Sequence, residues 1–175
     1  MDERKWIERI LAGDTQSFSC LVAKYEKMAY TIALRILENR EEAEEAVQDA
    51  FVKMYRALSD FHFDSKFSTW FYRIVYRTAL TALRQQRMFV SYEEAGPVDL
   101  SNDEVESATA LLEREDRKEM IARTLKKLPA DEALLLTLYY LEECSVEEIC
   151  QITELSASNV KVKLFRGRKR SYEVL

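Results

Sequence analysis

The chain has 175 residues, of which 47% are apolar and 33% are charged, and its formal net charge is −5. Three glycines and two prolines supply too few turns for a many-stranded sheet protein, so the composition favours an all-α protein of one or two small domains. No apolar run is long enough to cross a membrane and the N-terminus lacks the apolar core of a signal peptide, so we expect a cytoplasmic protein without membrane contact of its own.

Apolar side chains recur every three or four positions through most of the first 90 residues, which is the spacing of amphipathic helices. We predict four helices in this part, over 4–11, from an N-cap at Asp14 or Thr15 to about 36, over 43–58 and over 67–87. Trp70 and Phe71 lie on the inner face of the fourth. These helices can share one core, so residues 1–90 are predicted to form an N-terminal helix bundle.

The helical spacing stops in the segment 91–112. This segment contains Gly96-Pro97 and several Ser, Asn and Asp residues. From Asp99 to Asp116 there are seven acidic residues and one basic residue. A polar, strongly charged stretch of this kind cannot bury enough apolar surface to fold on its own, so we predict a flexible acidic linker.

A second helical domain is predicted over 113–175. Its first helix stops before Pro129, and a strongly apolar helix follows. Ser145 and Glu148 have the spacing of a capping box at the start of a short third helix, and Ser156 is a natural N-cap for the last one. Two short helices joined by a turn, the second of them basic, are the outline of a helix-turn-helix.

The last helix is unusually basic for an acidic protein, with six basic and no acidic residues between Ser156 and Arg170. Val160 and Leu164 fall on one side and can anchor it in a core. Another side carries a stripe of Ser158, Lys161, Val162, Phe165, Arg166 and Lys169. Such a mixture suits a DNA major groove, although a solvated helix end whose cations complement the helix dipole is the alternative. Gly167 is expected to make the end of the helix fray or kink.

The predicted helix over 67–87 also has a basic side, and no acid occurs between Lys66 and Tyr92. Its outer stripe consists of Arg73, Tyr76, Arg77, Leu80, Arg84 and Arg87. The preceding segment is rich in aromatic rings, and we expect Phe61, His62, Phe63, Lys66 and Phe67 to lie in a loop. Aromatic rings interleaved with cations can bind single-stranded nucleic acid, although they can equally be part of a core.

Nothing in the sequence points to catalysis or to a metal. Cys20, Cys144 and Cys150 lack close pairing, and the only histidine is the distant His62. There is no Gly-rich phosphate loop and no nucleophile motif. We therefore expect no enzymatic activity, cofactor, metal or small-molecule substrate.

Taken in order, these motifs resemble a known family. The segments AVQDAF (46–51), FSTWFYRIVYRTALTALRQQR (67–87) and SASNVKVKLFRGRKR (156–170) are similar to those of the extracytoplasmic-function (ECF) sigma factors of bacteria. The resemblance implies a two-domain subunit of bacterial RNA polymerase that initiates transcription. The first domain would bind core polymerase and melt the −10 promoter element, and the second would read the −35 element in duplex DNA. An anti-sigma factor is a further partner that the resemblance implies.

The resemblance also assigns residues to these roles. Contacts with core polymerase fall on Gln48, Asp49 and Phe51. Contacts with the −10 element fall on Phe61, His62, Phe63, Lys66, Phe67, Arg73, Tyr76, Arg77 and Arg84. Contacts with the −35 element fall on Ser158, Asn159, Lys161, Val162, Lys163, Phe165 and Arg166.

Four positions depart from the family's usual residues. Arg77 and Thr81 stand where many members carry Asn and Asp, which affects the −10 preference. Val162 stands where Ser is common, which affects the −35 preference, and Glu154 occupies a turn position often held by Gly.

Two other functions remain open from the residues alone. A stand-alone helix-turn-helix regulator would bind duplex operators without polymerase, often as a dimer. A protein without a DNA target could instead use the basic helix to bind an acidic partner, in which case binding to DNA would lack a steep dependence on salt.

Overall fold

The computed structural model describes residues 2–90 and 112–174, and all regular elements in these two ranges are helical. In chain order they are α1 (Glu3–Leu11), α2 (Thr15–Leu37), α3 (Arg40–Ala57), a 3₁₀ turn (Leu58–Asp60), α4 (Phe67–Val90), α5 (Leu112–Lys126), α6 (Ala130–Leu136), a π-helical turn (Thr137–Leu141), α7 (Val146–Thr153) and α8 (Ala157–Val174). The predicted all-α fold, with a helical unit on each side of the acidic segment, is confirmed. The predicted linker lies outside the described residues, apart from Leu112.

The first unit is held together by an aromatic cluster that joins α2, α3 and α4. Phe71 in α4 is fully buried. The centroid of its ring lies 4.8 Å from that of Phe51 in α3 and 5.9 Å from that of Tyr25 in α2. Ring pairs at such separations add about 0.5–1.5 kcal/mol each to the free energy gained by burying the rings. The cluster therefore fixes which side of α4 faces the core.

Side-chain caps define where the helices of this unit begin. Asp14 Oδ1 accepts a hydrogen bond of 3.0 Å from the Gln16 N–H, so Asp14 rather than Thr15 is the N-cap of α2. Asn39 Oδ1 accepts one of 3.1 Å from the Glu42 N–H at the start of α3.

The second unit contains the predicted helix-turn-helix in α7 and α8. Ser145 Oγ accepts a hydrogen bond of 3.1 Å from the Glu148 N–H, and Glu148 Oε2 accepts one of 2.7 Å from the Ser145 N–H, which confirms the capping box. Ser156 Oγ accepts one of 3.2 Å from the Asn159 N–H, which confirms the cap of α8. Between the helices, Glu154 has a left-handed backbone with φ of 62°.

Gly167 does not end or fray the last helix, contrary to the sequence-based expectation, because α8 continues to Val174. The glycine lies where α8 crosses α6. A Cβ atom placed on residue 167 would lie 3.0 Å from Leu136 Cδ1 and 3.4 Å from Glu132 Cβ. The missing side chain therefore allows two helices to approach closely, and this gain outweighs the lower helix propensity of glycine.

The two units touch each other: α7 packs against α4, and α6 packs against α2. Among the described residues, no helix is both long and apolar enough to cross a membrane.

The close crossing at Gly167 predicts that a larger side chain destabilises the second unit. Gly167→Val should lower the free energy of unfolding by about 1–3 kcal/mol, because the crossing leaves no room for the added methyl groups. Lys169→Val, at an exposed position of the same helix, is the matched control and should change it by about 0.5 kcal/mol or less. Urea unfolding followed by circular dichroism measures both variants. Equal losses in the two would contradict the packing role of Gly167.

The capping box predicts a dependence of stability on pH. The hydrogen bond from the Ser145 backbone and then that from Lys66 lower the pKa of Glu148 below its ordinary value of 4.5. Because the pKa is lower in the folded state, the charge of Glu148 stabilises the fold at pH values above the ordinary pKa. This contribution is lost as the pH falls through the lowered pKa.

Glu148→Gln isolates this effect, since glutamine keeps the capping hydrogen bond but carries no charge. The wild type should be more stable than Glu148→Gln by about 0.3–1 kcal/mol near neutral pH. The difference should shrink as the pH falls below 4.5 and through the lowered pKa of Glu148, which urea unfolding at a series of pH values would measure. A difference that stays constant over this range would contradict the prediction.

Candidate nucleic-acid interface

The outer side of α8 is a continuous exposed surface, as predicted. Val160 and Leu164 are 0% and 2% exposed and anchor the helix in the core of the second unit. Six of the seven residues predicted to read the −35 element lie on the opposite, exposed side: Ser158, Asn159, Lys161, Val162, Phe165 and Arg166. Phe165 is 65% exposed without a ring partner among the described residues, so the surface combines an apolar group with cations.

The six cations of α8 fall into two groups. Lys163 is half-buried and forms an ion pair with Asp131 of α6. Arg170 Nη1 lies 3.2 Å from the buried carboxylate of Glu132. Arg168 donates a hydrogen bond of 3.3 Å to the Tyr140 hydroxyl. These three attach α8 to its own unit, whereas the other three have no ion pair among the described residues: Lys161, Arg166 and Lys169. Lys163 is therefore the predicted −35 residue that the structure places away from the exposed surface.

The outer side of α4 carries the predicted basic stripe, but two of its arginines are occupied. Arg73 Nη2 lies 3.1 Å from Oε1 of Glu154, and Arg77 binds the same oxygen. Hydrogen bonds from Arg77 and then Arg73 hold the pKa of Glu154 below its ordinary value. Arg84 is exposed and has no ion pair among the described residues, and Tyr76 is half-buried.

The aromatic segment before α4 is divided between the core and the surface. Phe61 and Phe67 are 6% and 4% exposed, and Phe67 belongs to α4 rather than to a loop. Phe63, by contrast, is 38% exposed with φ of 59°. The Arg4 guanidinium lies 4.4 Å from the centroid of the Phe63 ring, a cation–π contact. His62 and Lys66 are also exposed, and Lys66 Nζ lies 2.9 Å from Glu148 Oε1 of the second unit, so His62 and Phe63 are the two of these side chains that a ligand can reach without displacing an ion pair.

An open cleft of about 540 Å³ lies beside this segment, between α1, α2, α4 and the second unit. Tyr72 lines it and donates a hydrogen bond of 2.8 Å to Glu142 Oε2, and burial raises the pKa of the Tyr72 hydroxyl. Arg4 and Lys24 also line it, and Lys24 forms an ion pair with Glu3. The sequence-based analysis did not identify these two cations, because nothing near them in the chain indicates that α1 and α2 meet the 61–66 segment.

The outer side of α3 differs from the two basic surfaces. Gln48 and Asp49 are exposed, as expected for residues that contact a partner. Phe51 is only 8% exposed and belongs to the aromatic cluster around Phe71. Val52 and Tyr55 are 48% and 49% exposed and follow Gln48 by four and seven positions, which is helical spacing. Neither was among the residues predicted from the sequence, although their spacing relative to Gln48 was a usable signal.

The described residues contain no group of three or more His, Cys, Asp and Glu that could hold a metal ion. Cys20 is exposed, Cys144 is buried and Cys150 is intermediate, and all three are free thiols.

Two family models match the chain, one on each helical unit. Sigma-70 region 2 matches residues 21–88, and Sigma-70, region 4, matches residues 118–170. The first match includes the basic side of α4 and the exposed side of α3, and the second includes α7 and α8 as far as Arg170.

Curated relatives extend the similarity over nearly the whole chain. The RNA polymerase sigma-H factor of Pseudomonas aeruginosa is 32% identical over 174 residues, covering 95% of this chain and 90% of that protein. The ECF RNA polymerase sigma-E factor of Escherichia coli (strain K12) is 31% identical over 170 residues, covering 93% of this chain and 88% of that protein.

Solved structures share the fold at lower identity. The sigma factor RpoE of Bartonella quintana, in complex with the anti-sigma factor NepR, has a TM-score of 0.73 at 18% identity, covering 90% of this chain and 96% of that one. CnrH, in complex with the cytosolic domain of CnrY, has a TM-score of 0.64 at 20% identity, covering 98% of this chain and 96% of that one. With a region 2 and a region 4 in sequence and relatives above 30% identity along its length, the chain belongs to the sigma-70 family as an ECF sigma factor.

Proposed function

We propose that this sigma factor binds core RNA polymerase through α3 and directs it to promoters through two separate DNA-binding surfaces, on α4 and on α8. The observation that carries the proposal is the presence of two acid-free basic helix faces, on different units, in a chain whose net charge is −5. A single operator-binding module needs only one such face, so the second face favours an initiation factor over a stand-alone regulator.

The surface of α8 is proposed to read the −35 element in the major groove. Lys161 and Arg166 are exposed and without ion pairs among the described residues, so they can bind phosphates or guanine edges. Val162 and Phe165 offer apolar contact to thymine methyl groups. Lys163 is proposed to act indirectly, since its ion pair with Asp131 holds α8 against α6.

The surface of α4 and the segment before it are proposed to bind the −10 element as a separated strand. Phe63 and His62 are exposed and can stack on bases, while Arg73, Arg77 and Arg84 can follow the phosphates. The rings of Phe61 and Phe67 support this surface from the core. Such a surface can capture a separated strand once polymerase holds the DNA.

The exposed side of α3 is proposed to bind core polymerase. It carries Gln48 and Asp49 beside two exposed apolar side chains, Val52 and Tyr55. Carboxylates here repel DNA and attract a basic protein surface, while the apolar groups supply buried area. Phe51 is proposed to support the face from beneath by fixing α3 against α4.

Four further assignments follow from the family and are proposals for this chain. The domains are residues 1–90 and 113–175, joined by an acidic linker over 91–112. An anti-sigma factor is proposed as a second protein partner, as in the complex of RpoE with NepR. The protein is proposed to act in the cytoplasm, where polymerase works, and to have no catalytic activity of its own.

Co-elution with bacterial core RNA polymerase on a sizing column tests the polymerase surface. The wild type should form a stoichiometric complex, and Asp49→Lys should weaken it at least ~10-fold, since a like charge placed in an interface costs several kcal/mol. Glu26→Lys makes the same charge change at an exposed position of α2 and should leave the complex intact. Phe51→Ala is unsuitable as a test, because it would disturb the aromatic core.

If no complex forms and the protein alone binds duplex DNA with a steep salt dependence, the chain would instead be a stand-alone regulator. If Glu26→Lys weakens the complex as much as Asp49→Lys does, the contact would be nonspecific and the α3 assignment would be wrong.

A further inference from the structure

Acidic groups of the second unit lie against basic or donor groups of the first at three separate points. Glu154 binds Arg73 and Arg77 of α4. Glu148 Oε1 lies 2.9 Å from Lys66 Nζ. Glu142 accepts a hydrogen bond of 2.8 Å from the Tyr72 hydroxyl. All three contacts follow the side of the first unit where α7 packs on α4.

Glu154 is an unexpected residue for its position. It forms the turn of the helix-turn-helix with φ of 62°, a left-handed backbone that glycine and asparagine adopt more readily than glutamate. Its N–H bonds the Cys150 carbonyl, which a glycine there would also do. The carboxylate is therefore not needed to make the turn. Its contacts are with the two arginines, which lie on the other unit, more than seventy residues earlier in the chain.

The groups covered by this contact are among those that the proposed function assigns to the −10 strand. Lys66, Arg73 and Arg77 each have a donor on a carboxylate of the second unit, where a phosphate would compete for it, and α7 packs on the helix that carries the two arginines. The exposed surface of α8 is not covered, since its free cations have no partner in the first unit among the described residues. The contact therefore competes with DNA for one of the two surfaces and leaves the other accessible.

We propose that α7 and its carboxylates form an intramolecular latch, in which Glu154 takes the place of DNA phosphate on Arg73 and Arg77 and keeps the free protein closed. The proposal rests on the proposed function, because it assigns the −10 strand to the same arginines. Solvent-exposed ion pairs are individually weak and are screened by salt. A latch made of them can hold a free protein closed and still yield to a polyanion such as single-stranded DNA.

Two measurements on the full chain test the latch. The radius of gyration from small-angle X-ray scattering reports whether the units stay together. Fluorescence anisotropy with a labelled mixed-sequence single strand of about 20 nucleotides reports whether the α4 surface is accessible. Glu154→Gln should increase the radius of gyration and tighten binding to the strand roughly three- to tenfold. Glu147→Gln removes one charge from an exposed site on the same helix, so it controls for the change in net charge.

A charge-swapped variant tests whether the specific pairing of Glu154 with the two arginines closes the protein. Glu154→Arg should open the protein, and adding Arg73→Glu and Arg77→Glu should close it again, as measured by the radius of gyration. Circular dichroism verifies that each variant keeps its helices. If Glu154→Gln leaves both the radius and the affinity equal to those of Glu147→Gln, the latch does not exist.

Different results would contradict the latch and the proposed function. If the function is right and the latch wrong, the wild type binds core polymerase but Glu154→Gln changes neither measurement. If the latch is right and the function wrong, the variants change the radius of gyration as expected, yet neither polymerase nor single-stranded DNA binds.

Discussion

Helix α4 has one side packed in the core and one basic side on the surface, and the rest of the structure depends on which residues lie on each side. Its inner side places Phe71 in the aromatic cluster with Tyr25 and Phe51, which ties α4 to α2 and α3. Because a helix repeats every 3.6 residues, this fixed inner side forces the arginines onto the outer side. The same packing thus makes the core and creates the basic surface that a DNA strand or α7 can cover.

Helix α8 of the second unit likewise has one side packed against its neighbours and one side exposed. Helix α8 is drawn close to α6 at Gly167 and is attached there by Lys163, Arg168 and Arg170. Half of its cations thus serve the fold, which leaves the others free on the outer side. A count of basic residues therefore overstates the charge available to DNA. The arrangement nevertheless supplies a rigid, exposed helix face, which is what reading a major groove requires.

Features governed by neighbouring residues could be predicted from the sequence, whereas contacts between distant residues could not. Helical periodicity and cap chemistry located the helices, the capping box of Ser145 and the exposed side of α8, since each depends on residues a few positions apart. The burial of Phe61, the cation–π contact of Arg4 and the pairing of Glu154 depend on tertiary packing. Arg77 and Glu154 are 77 positions apart, so no local pattern could bring them together.

The proposed function requires that this chain gives core polymerase its choice of promoters. Transcription of fragmented DNA from the source genome by bacterial core polymerase, with and without the protein, tests that claim most directly when the RNA starts are mapped. We expect a discrete set of new starts preceded by shared −35 and −10 sequences, with fewer transcripts for Arg166→Ala. Starts identical to those of core polymerase alone, although the two proteins form a complex, would contradict it.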